Sequence, residues 1–369
     1  MKLGLVRRGY SATGGAEAYL LRLGAELARR GHELVLFSDV PWPDEALAAH
    51  ALTMTRAVLA APGPRLFADA LEKTRSNYAF DLLFSLERVH ACDLYRAGDG
   101  VHAAWLERRA RFEPLWQNWL RHWNPKHRQI LALERALCTG AARRIIANSA
   151  MVKREIIAHY GTPAERIDVI PNGLPAPAVP AEARSEVRAE LGLAPTEYVA
   201  IFVGSGWERK GLRYAVEAVC RTPGATLLVA GRGKRRGVGT HERIRFLGPR
   251  RDVRRLLAAA DVFILPTLYD PFSNASLEAL AAGLPVITTA ANGFAEIIAP
   301  GVEGEVIAEP DDIAALAAAL EGWRDPARRA DIRPRLAALG TRYSIEENVR
   351  QTLAVIDRLP KTDSAPERG

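Results

Sequence analysis

Cysteine is scarce in this chain of 369 residues, and the three that occur lie far apart at Cys92, Cys138 and Cys220. An odd, scattered set provides neither a disulfide framework nor the paired spacing of a zinc site, so we expect a reducing compartment. The chain has no apolar run long enough to span a membrane, and its start, MKLGLVRRG, is too short in apolar residues for a signal peptide. These absences predict a cytoplasmic protein.

The sequence also lacks an Asp-x-Asp metal motif at any predicted strand end, so it gives no reason to expect a bound metal. Hydrophobic residues make up 48% of the chain and charged residues 25%, which is ordinary for a globular protein. The length is sufficient for two domains with well-developed cores. A formal net charge of +7 favours an anionic partner.

The most informative pattern is a pair of buried strands, Val262–Leu265 and Val286–Thr289, with a polar loop and a helix between them. This order makes one βαβ unit of a parallel sheet. Ligands of such sheets bind at the carboxyl ends of strands, so we expect a site at the loop 266–274. Ser273 or Asn274 is a good N-cap, which leaves free backbone N–H groups to bind a phosphate.

Two carboxylates accompany this predicted phosphate site, Asp270 in the loop and Glu278 on the helix. Carboxylates repel phosphate, but they accept strong hydrogen bonds from sugar hydroxyls, worth about 1.5–3 kcal/mol each. The combination therefore suggests a sugar nucleotide. The alternative is that Asp270 is a turn residue and Glu278 a surface charge of the helix.

Three further motifs stand at predicted strand ends. Arg209 and Lys210 lie between a strand and a helix, where two cations would clamp a diphosphate and stabilise the charge that grows on it. Gly14 and Gly15 precede a helix and would let the backbone approach a ligand closely. Asp99 lies between two glycines after a strand, as a ligand-binding residue or an ordinary turn aspartate.

Residues 105–135 are rich in tryptophan and carry seven basic residues against three glutamates. Trp116, Trp119 and Trp123 recur at the spacing of one helical face, which is typical of a helix lying on an anionic membrane. A helix that packs its tryptophans into the core is the alternative, and nothing else in the chain supports binding of nucleic acid. The predicted membrane-contacting residues are Trp105, Arg108, Arg109, Trp116, Trp119, Arg121 and Trp123.

Taken together, several motifs resemble family 4 of the retaining GT-B glycosyltransferases. They are the two acids separated by seven residues at 270 and 278, the following AAGLPVITT, the phrase VGS with Arg-Lys-Gly four residues later, and RIDVIPNGL. The usual first acid is Glu, and here it is Asp270. The resemblance implies an α/β protein with two Rossmann-like, doubly wound domains facing a cleft, transfer with retention, and no metal or other cofactor.

In that family the second acid, here Glu278, holds the ribose of the donor. The resemblance implies a donor site formed by Gly14, Gly15, Arg209, Lys210, Asp270, Phe272, Ser273, Asn274 and Glu278. Arg209 and Lys210 would also take part in catalysis.

CDLYRAGD at residues 92–99, the tryptophan-rich basic segment and ERKG resemble one group in this family, the bacterial lipopolysaccharide core glucosyltransferases. This resemblance implies a catalytic or acceptor-side role for Asp99. It further implies transfer of glucose from UDP-glucose to a heptose of the inner core, at the inner face of the cytoplasmic membrane.

The predicted organisation has an acceptor-side domain at 1–176 and a donor-binding domain at 177–344. A last helix at about 345–360 crosses back to the first domain, and residues 361–369 form a disordered tail.

Other functions stay open at this point. Another donor or acceptor, such as an exopolysaccharide or glycolipid, would use the same motifs. A GT-B sugar-nucleotide epimerase would need no acceptor, and a membrane-bound sensor of sugar nucleotides would tolerate loss of Asp99.

Overall fold

The computed structural model describes residues 1–359 apart from positions 13, 115, 118, 120–122, 176–182, 236 and 240. The predicted tail, most of the inter-domain linker and Arg121 therefore lie outside the described residues. The described part contains two parallel sheets of seven and six strands, each with helices packed on its faces.

The first sheet has the strand order β3-β2-β1-β4-β5-β6-β7, and all its strands are parallel. Its central strands are continuous apolar runs because helices cover both faces of the sheet. The strands are β1 Lys2–Val6, β2 Glu33–Ser38, β3 Thr55–Val58, β4 Leu82–Ser85, β5 Cys92–Ala97, β6 Ala142–Ala147 and β7 Ile167–Val169. The α-helices of this half are Gly15–Arg29, Asp44–Ala48, Pro64–Thr74, His102–Ala110, Pro125–Ala136 and Ala150–Tyr160.

The second sheet has the order β10-β9-β8-β11-β12-β13, the arrangement of a dinucleotide-binding Rossmann sheet. Its strands are β8 Tyr198–Val203, β9 Ala225–Ala230, β10 Ile244–Gly248, β11 Val262–Leu265, β12 Val286–Thr289 and β13 Gly304–Ile307. The remaining helices are Ala183–Glu190, Leu212–Arg221, Val253–Ala259, Asn274–Ala281, Ile313–Gly322, Pro326–Thr341 and Ile345–Ile356. Among the described residues, no helix combines the length and the apolar character needed to cross a membrane.

The last helix, Ile345–Ile356, packs on the first domain. Its Val349 and Ile356 share an apolar core with Leu20 and Leu23 of the Gly15–Arg29 helix. Where the chain returns, Leu174 N–H donates to the Tyr343 carbonyl and the Leu174 carbonyl accepts from Ile345 N–H, both at 2.9 Å. The two connections between the domains therefore run side by side.

Candidate active site

A cleft of about 1700 Å³ separates the two sheets and is lined by residues from the carboxyl ends of strands in both. In each sheet the strand order reverses at one point, between β1 and β4 in the first and between β8 and β11 in the second. Ligands of doubly wound sheets bind at such a point. The loops after β1, β8 and β11 all line the cleft, so the topology alone brings the predicted site residues together.

Arg209 and Lys210 lie on the loop after β8, and Gly211 fixes the path of this loop. Gly211 has φ 75°, and a Cβ there would lie 1.8 Å from the carbonyl oxygen of Pro266 at the end of β11. The Arg209 carbonyl accepts hydrogen bonds from Leu268 N–H and Thr267 Oγ1, both at 2.9 Å. The basic pair is thereby held against the loop that carries Asp270.

The two basic side chains are in different electrostatic states. Lys210 Nζ forms an ion pair with Asp270, and both side chains are largely buried. Burial lowers the pKa of Lys210 and Arg209 adds to this, although Asp270 acts in the opposite direction. Within the described residues the Arg209 guanidinium has neither a hydrogen-bond acceptor nor a carboxylate partner. Of these two side chains, Arg209 is therefore the one that is available to bind a ligand.

The helix Asn274–Ala281 presents its N-terminus to the cleft. Ser273 caps it by accepting a hydrogen bond from Ser276 N–H at 3.2 Å, as the sequence predicts. Asn274 and Ala275 line the cleft, and their backbone N–H groups make no hydrogen bond with any described residue. They can donate to a phosphate. Phe272 is buried against Phe294, with ring centroids 6.3 Å apart, so its side chain supports the loop.

The helices Gly15–Arg29 and Asn274–Ala281 contact each other across the cleft. Arg22 of the Gly15–Arg29 helix places Nη2 3.4 Å from Glu278 Oε1, a contact that the sequence does not reveal. Asn274 Nδ2 donates to the Gly15 carbonyl at 3.3 Å. At Gly14 a Cβ would lie 1.8 Å from Glu17 Oε2, so any larger residue here would require the Glu17 carboxylate to move.

Asp99 lies at the carboxyl end of β5, and its side chain is 41% exposed to the cleft. Arg7, just after β1, places Nη1 2.8 Å from Asp99 Oδ2. Partial desolvation in the cleft opposes ionisation of Asp99, but the guanidinium groups of Arg7, Arg88 and Arg209 together lower its pKa. Asp99 is therefore held as a carboxylate beside the basic loop of the second domain.

A buried ion pair supports the loop that carries Asp99. Arg88 donates from Nε to Glu134 at 2.7 Å and from Nη2 to the Gly100 carbonyl at 2.7 Å. Glu134 also accepts hydrogen bonds from the backbone N–H of His102 and from the Tyr160 hydroxyl. Donors from three separate parts of the chain thus converge on one carboxylate, and local sequence patterns do not reveal this network.

Tyr269, on the loop after β11, contacts the loop that carries Asp99. Its hydroxyl accepts from Val101 N–H at 2.9 Å and donates to Glu155 Oε2 at 2.7 Å. Gly100 leaves room for this contact, because a Cβ there would lie 2.5 Å from the Tyr269 hydroxyl. Burial raises the pKa of Glu155 to about 7, although the Tyr269 hydrogen bond acts against this.

We expect Glu155→Gln to remove a pH dependence of stability. The pKa of Glu155 is about 7 in the folded chain against 4.5 for the free carboxyl, so the folded state binds the proton more tightly. The stabilisation by this proton is complete below pH 4.5 and is lost as the pH rises through about 7. Urea unfolding between pH 5 and 8 measures it. Exposed Glu165→Gln, the control, should keep the wild-type slope, and an unchanged slope in Glu155→Gln would contradict this assignment.

The tryptophan-rich segment divides in two. Trp116, Trp119 and Trp123 are 63%, 63% and 68% exposed, so their side chains are not part of the core. Trp105 and Arg108, in contrast, face the second domain. The Trp105 ring lies 6.1 Å from that of Tyr269, and Arg108 pairs with Glu309 at 2.5 Å.

Arg109 forms an ion pair with Glu113 at 2.6 Å and lies over the Trp105 ring. Among the described residues no cluster of three or more His, Cys, Asp and Glu side chains could hold a metal ion.

Two family models match the chain. One, described as Glycosyltransferase Family 4, matches residues 13–176, and the other, described as Glycosyl transferases group 1, matches residues 197–323. Among known proteins, a D-inositol 3-phosphate glycosyltransferase of Nocardia farcinica is 29% identical over 91% of this chain and 83% of its own length. The lipopolysaccharide glucosyltransferase WaaG of Escherichia coli K12 is 26% identical over 82% and 83%, respectively.

Solved structures have the same fold. The crystal structure of WaaG matches with a TM-score of 0.80 at 22% identity, covering 96% of this chain and all of that one. HepE of Anabaena, in complex with UDP and glucose, matches with a TM-score of 0.76 at 19% identity, covering 97% and 100%. The predicted architecture of two Rossmann-like domains facing a cleft is confirmed by these structures.

Proposed function

Because this chain belongs to the group 1 and family 4 glycosyltransferases of the GT-B fold, we propose that it is a retaining, metal-independent enzyme that transfers a hexose from a nucleotide sugar. The donor that we propose is UDP-glucose, and the acceptor is a heptose of the lipopolysaccharide inner core. The proposed site of action is the cytoplasmic face of the inner membrane.

One observation carries the proposal of a nucleotide-sugar donor. The second-domain wall of the cleft combines the Arg209 cation and the N–H groups of Asn274 and Ala275, none of which has a partner among the described residues, with the carboxylate of Glu278. Cation and N–H donors suit a diphosphate, and the carboxylate suits the hydroxyls of ribose. The complex of HepE with UDP and glucose supports a donor of this type.

In the proposed reaction the bond between the anomeric carbon and the diphosphate oxygen breaks, and negative charge grows on the diphosphate. Arg209 stabilises this charge in the transition state more than in the ground state. The acceptor hydroxyl attacks from the same face and gives its proton to the departing phosphate oxygen, which accounts for retention. Asp99, across the cleft, faces the positive charge that develops on the sugar.

Nucleotide release from a panel of sugar nucleotides tests the proposal. The panel contains UDP-glucose, UDP-galactose, UDP-N-acetylglucosamine and GDP-mannose, each with and without heptose-terminated lipopolysaccharide. Release from UDP-glucose that rises strongly with this acceptor is the expected result. Release that ignores the acceptor, or that prefers another donor, would overturn the assignment of substrates.

The relatives provide a second candidate acceptor. The Nocardia relative named as a D-inositol 3-phosphate glycosyltransferase matches more of this chain than WaaG does. Inositol 3-phosphate therefore belongs in the acceptor panel. If inositol 3-phosphate stimulated nucleotide release and lipopolysaccharide did not, inositol 3-phosphate would replace the lipopolysaccharide heptose as the proposed acceptor.

We propose further that Trp116, Trp119 and Trp123 insert into the surface of an anionic membrane. All three indoles are exposed, and the surrounding segment is basic. Tryptophan prefers the membrane interface, and basic residues near an anionic surface contribute about 1 kcal/mol each. An enzyme attached there would meet a lipid-linked acceptor.

Replacing these three tryptophans with alanine should reduce partition onto anionic vesicles at low salt by at least about tenfold, because buried apolar area is lost. Donor hydrolysis in solution should stay unchanged. Leu66→Ala, another exposed apolar side chain of the first domain, is the control and should bind vesicles like the wild type. Equal sedimentation of the triple variant and the wild type would refute the attachment.

A further inference from the structure

Arg7 is a cleft residue that no motif in the sequence identifies. It follows β1 at the point where the strand order of the first sheet reverses, and its side chain is 12% exposed. Nη1 lies 2.8 Å from Asp99 Oδ2, and Nη2 lies 3.4 Å from Glu17 Oε1. A third bond, also of 3.4 Å, runs from Nη1 to the Leu86 carbonyl.

These contacts leave the two oxygens of Asp99 in different situations. Oδ2 is bound by Arg7, whereas Oδ1 makes no hydrogen bond to any described residue while the side chain stays open to the cleft. Arg7 is less exposed than Asp99 and its guanidinium is fixed by three acceptors, so Arg7 determines the orientation of the Asp99 carboxylate. One oxygen is thus held in place and the other is available to a ligand.

We propose that Arg7 is a positioning residue, which orients Asp99 toward the bound sugar and keeps it anionic throughout the reaction. This inference rests on the proposed role of Asp99 in glycosyl transfer. A permanently anionic Asp99 cannot donate a proton. It acts through charge, by accepting a hydroxyl hydrogen bond at Oδ1 or by facing the positive charge on the sugar ring.

The charged groups around this pair come from several elements. Arg88 and Arg209 face Asp99 together with Arg7, and all three favour its ionised form. Glu17 and Glu87 face Arg7 and strengthen its positive charge. Removal of Arg7 takes away the only one of the three cations that is hydrogen-bonded to Asp99 within the described part of the chain. The pKa of Asp99 should then rise, because burial still opposes its ionisation.

The adjacent residue provides a matched control. Arg8 points to the other side of the chain, where its Nε lies 3.6 Å from Asp39 Oδ2. It does not line the cleft. Arg8→Gln changes net charge by the same amount one position away, without touching Asp99.

The experiment measures kcat and donor KM between pH 5 and 9, by nucleotide release, for Arg7→Gln, Arg7→Lys, Arg8→Gln, Asp99→Asn and the double variant Arg7→Gln/Asp99→Asn. For Arg7→Gln we expect kcat at neutral pH to fall at least about tenfold with little change in KM, and an acidic limb to appear in the pH profile. Arg7→Lys should restore part of the turnover and remove the acidic limb, and Arg8→Gln should match the wild type. Because Arg7 acts through Asp99, the double variant should be no slower than Asp99→Asn.

Wild-type turnover and pH profile in Arg7→Gln, with Asp99→Asn inactive, would overturn the role of Arg7 alone. A loss of stability in Arg7→Gln with no change in the shape of its pH profile would also overturn it, since that is the mark of a purely structural residue. Wild-type turnover in Asp99→Asn would instead remove Asp99 from the proposed reaction. The two failures are therefore distinguishable.

Discussion

Arg209→Ala should lower kcat by about 10²–10³-fold and change the donor KM far less. Arg209 forms no ion pair with a carboxylate among the described residues, whereas Lys210 is already neutralised by Asp270. In the proposed reaction the negative charge of the diphosphate increases as the glycosidic bond breaks. A fixed cation at this position therefore contributes more to the transition state than to the bound donor.

The measurement is steady-state nucleotide release under saturating donor. Arg221→Ala, at the far end of the next helix, removes an exposed arginine and serves as the control with wild-type turnover. Arg209→Lys should recover only part of the rate, because an ammonium group keeps the charge but lacks the bidentate geometry. A KM effect alone in Arg209→Ala would show that this residue merely binds the donor.

Glu134→Ala should destabilise the first domain by about 3–5 kcal/mol, because it leaves the buried guanidinium of Arg88 without a counterion. The backbone N–H of His102 and the hydroxyl of Tyr160 lose their acceptor at the same time. Since Arg88 also holds the Gly100 carbonyl, we expect the loop of Asp99 to shift and activity to fall with stability. Urea unfolding followed by tryptophan fluorescence measures the first effect.

The ion pair between Lys2 and Glu33 is the natural control. Its charges are 3.9 Å apart and Glu33 is 79% exposed, so Glu33→Ala should change the free energy of unfolding by no more than about 0.5 kcal/mol. If Glu134→Ala and Glu33→Ala changed the free energy of unfolding equally, Glu134 would not be the centre of the buried network around Arg88.

The second-domain side of the cleft is predictable from sequence because it is built locally. Each of its groups sits within a few residues of a strand end, so an apolar run followed by a polar motif is enough to place Arg209, Lys210 and Ser273. Asp270 was expected to face a ligand through the same pattern, and the structure adds that Lys210 holds it.

The first-domain wall of the cleft and the contacts across the cleft could not be predicted in the same way, because they join distant parts of the chain. Arg7 and Asp99 are 92 residues apart, and Arg22 and Glu278 are 256 apart. The edge strands β3 and β13 are also absent from the sequence predictions. Both are short and lack a continuous buried run.

Composition misled in one respect, since it grouped all the tryptophans of residues 105–123 on one surface. The helix His102–Ala110 turns Trp105 and Arg108 toward the second domain, where Tyr269 and Glu309 provide partners. Aromatic and basic residues suit a domain interface as well as a membrane, so only the packing of the helix decides between them.

The return of the last helix has a consequence for synthesis of the chain. The core of the first domain needs Val349 and Ile356, so it stays incomplete until about 180 residues after Leu174 have been translated. At ribosomal speed this delay is about 10–30 s. During that time the apolar face of the Gly15–Arg29 helix has no cover from the end of the chain, while the second domain already has its whole sheet. The nascent protein should therefore finish folding in reverse order, with its second domain native before its first.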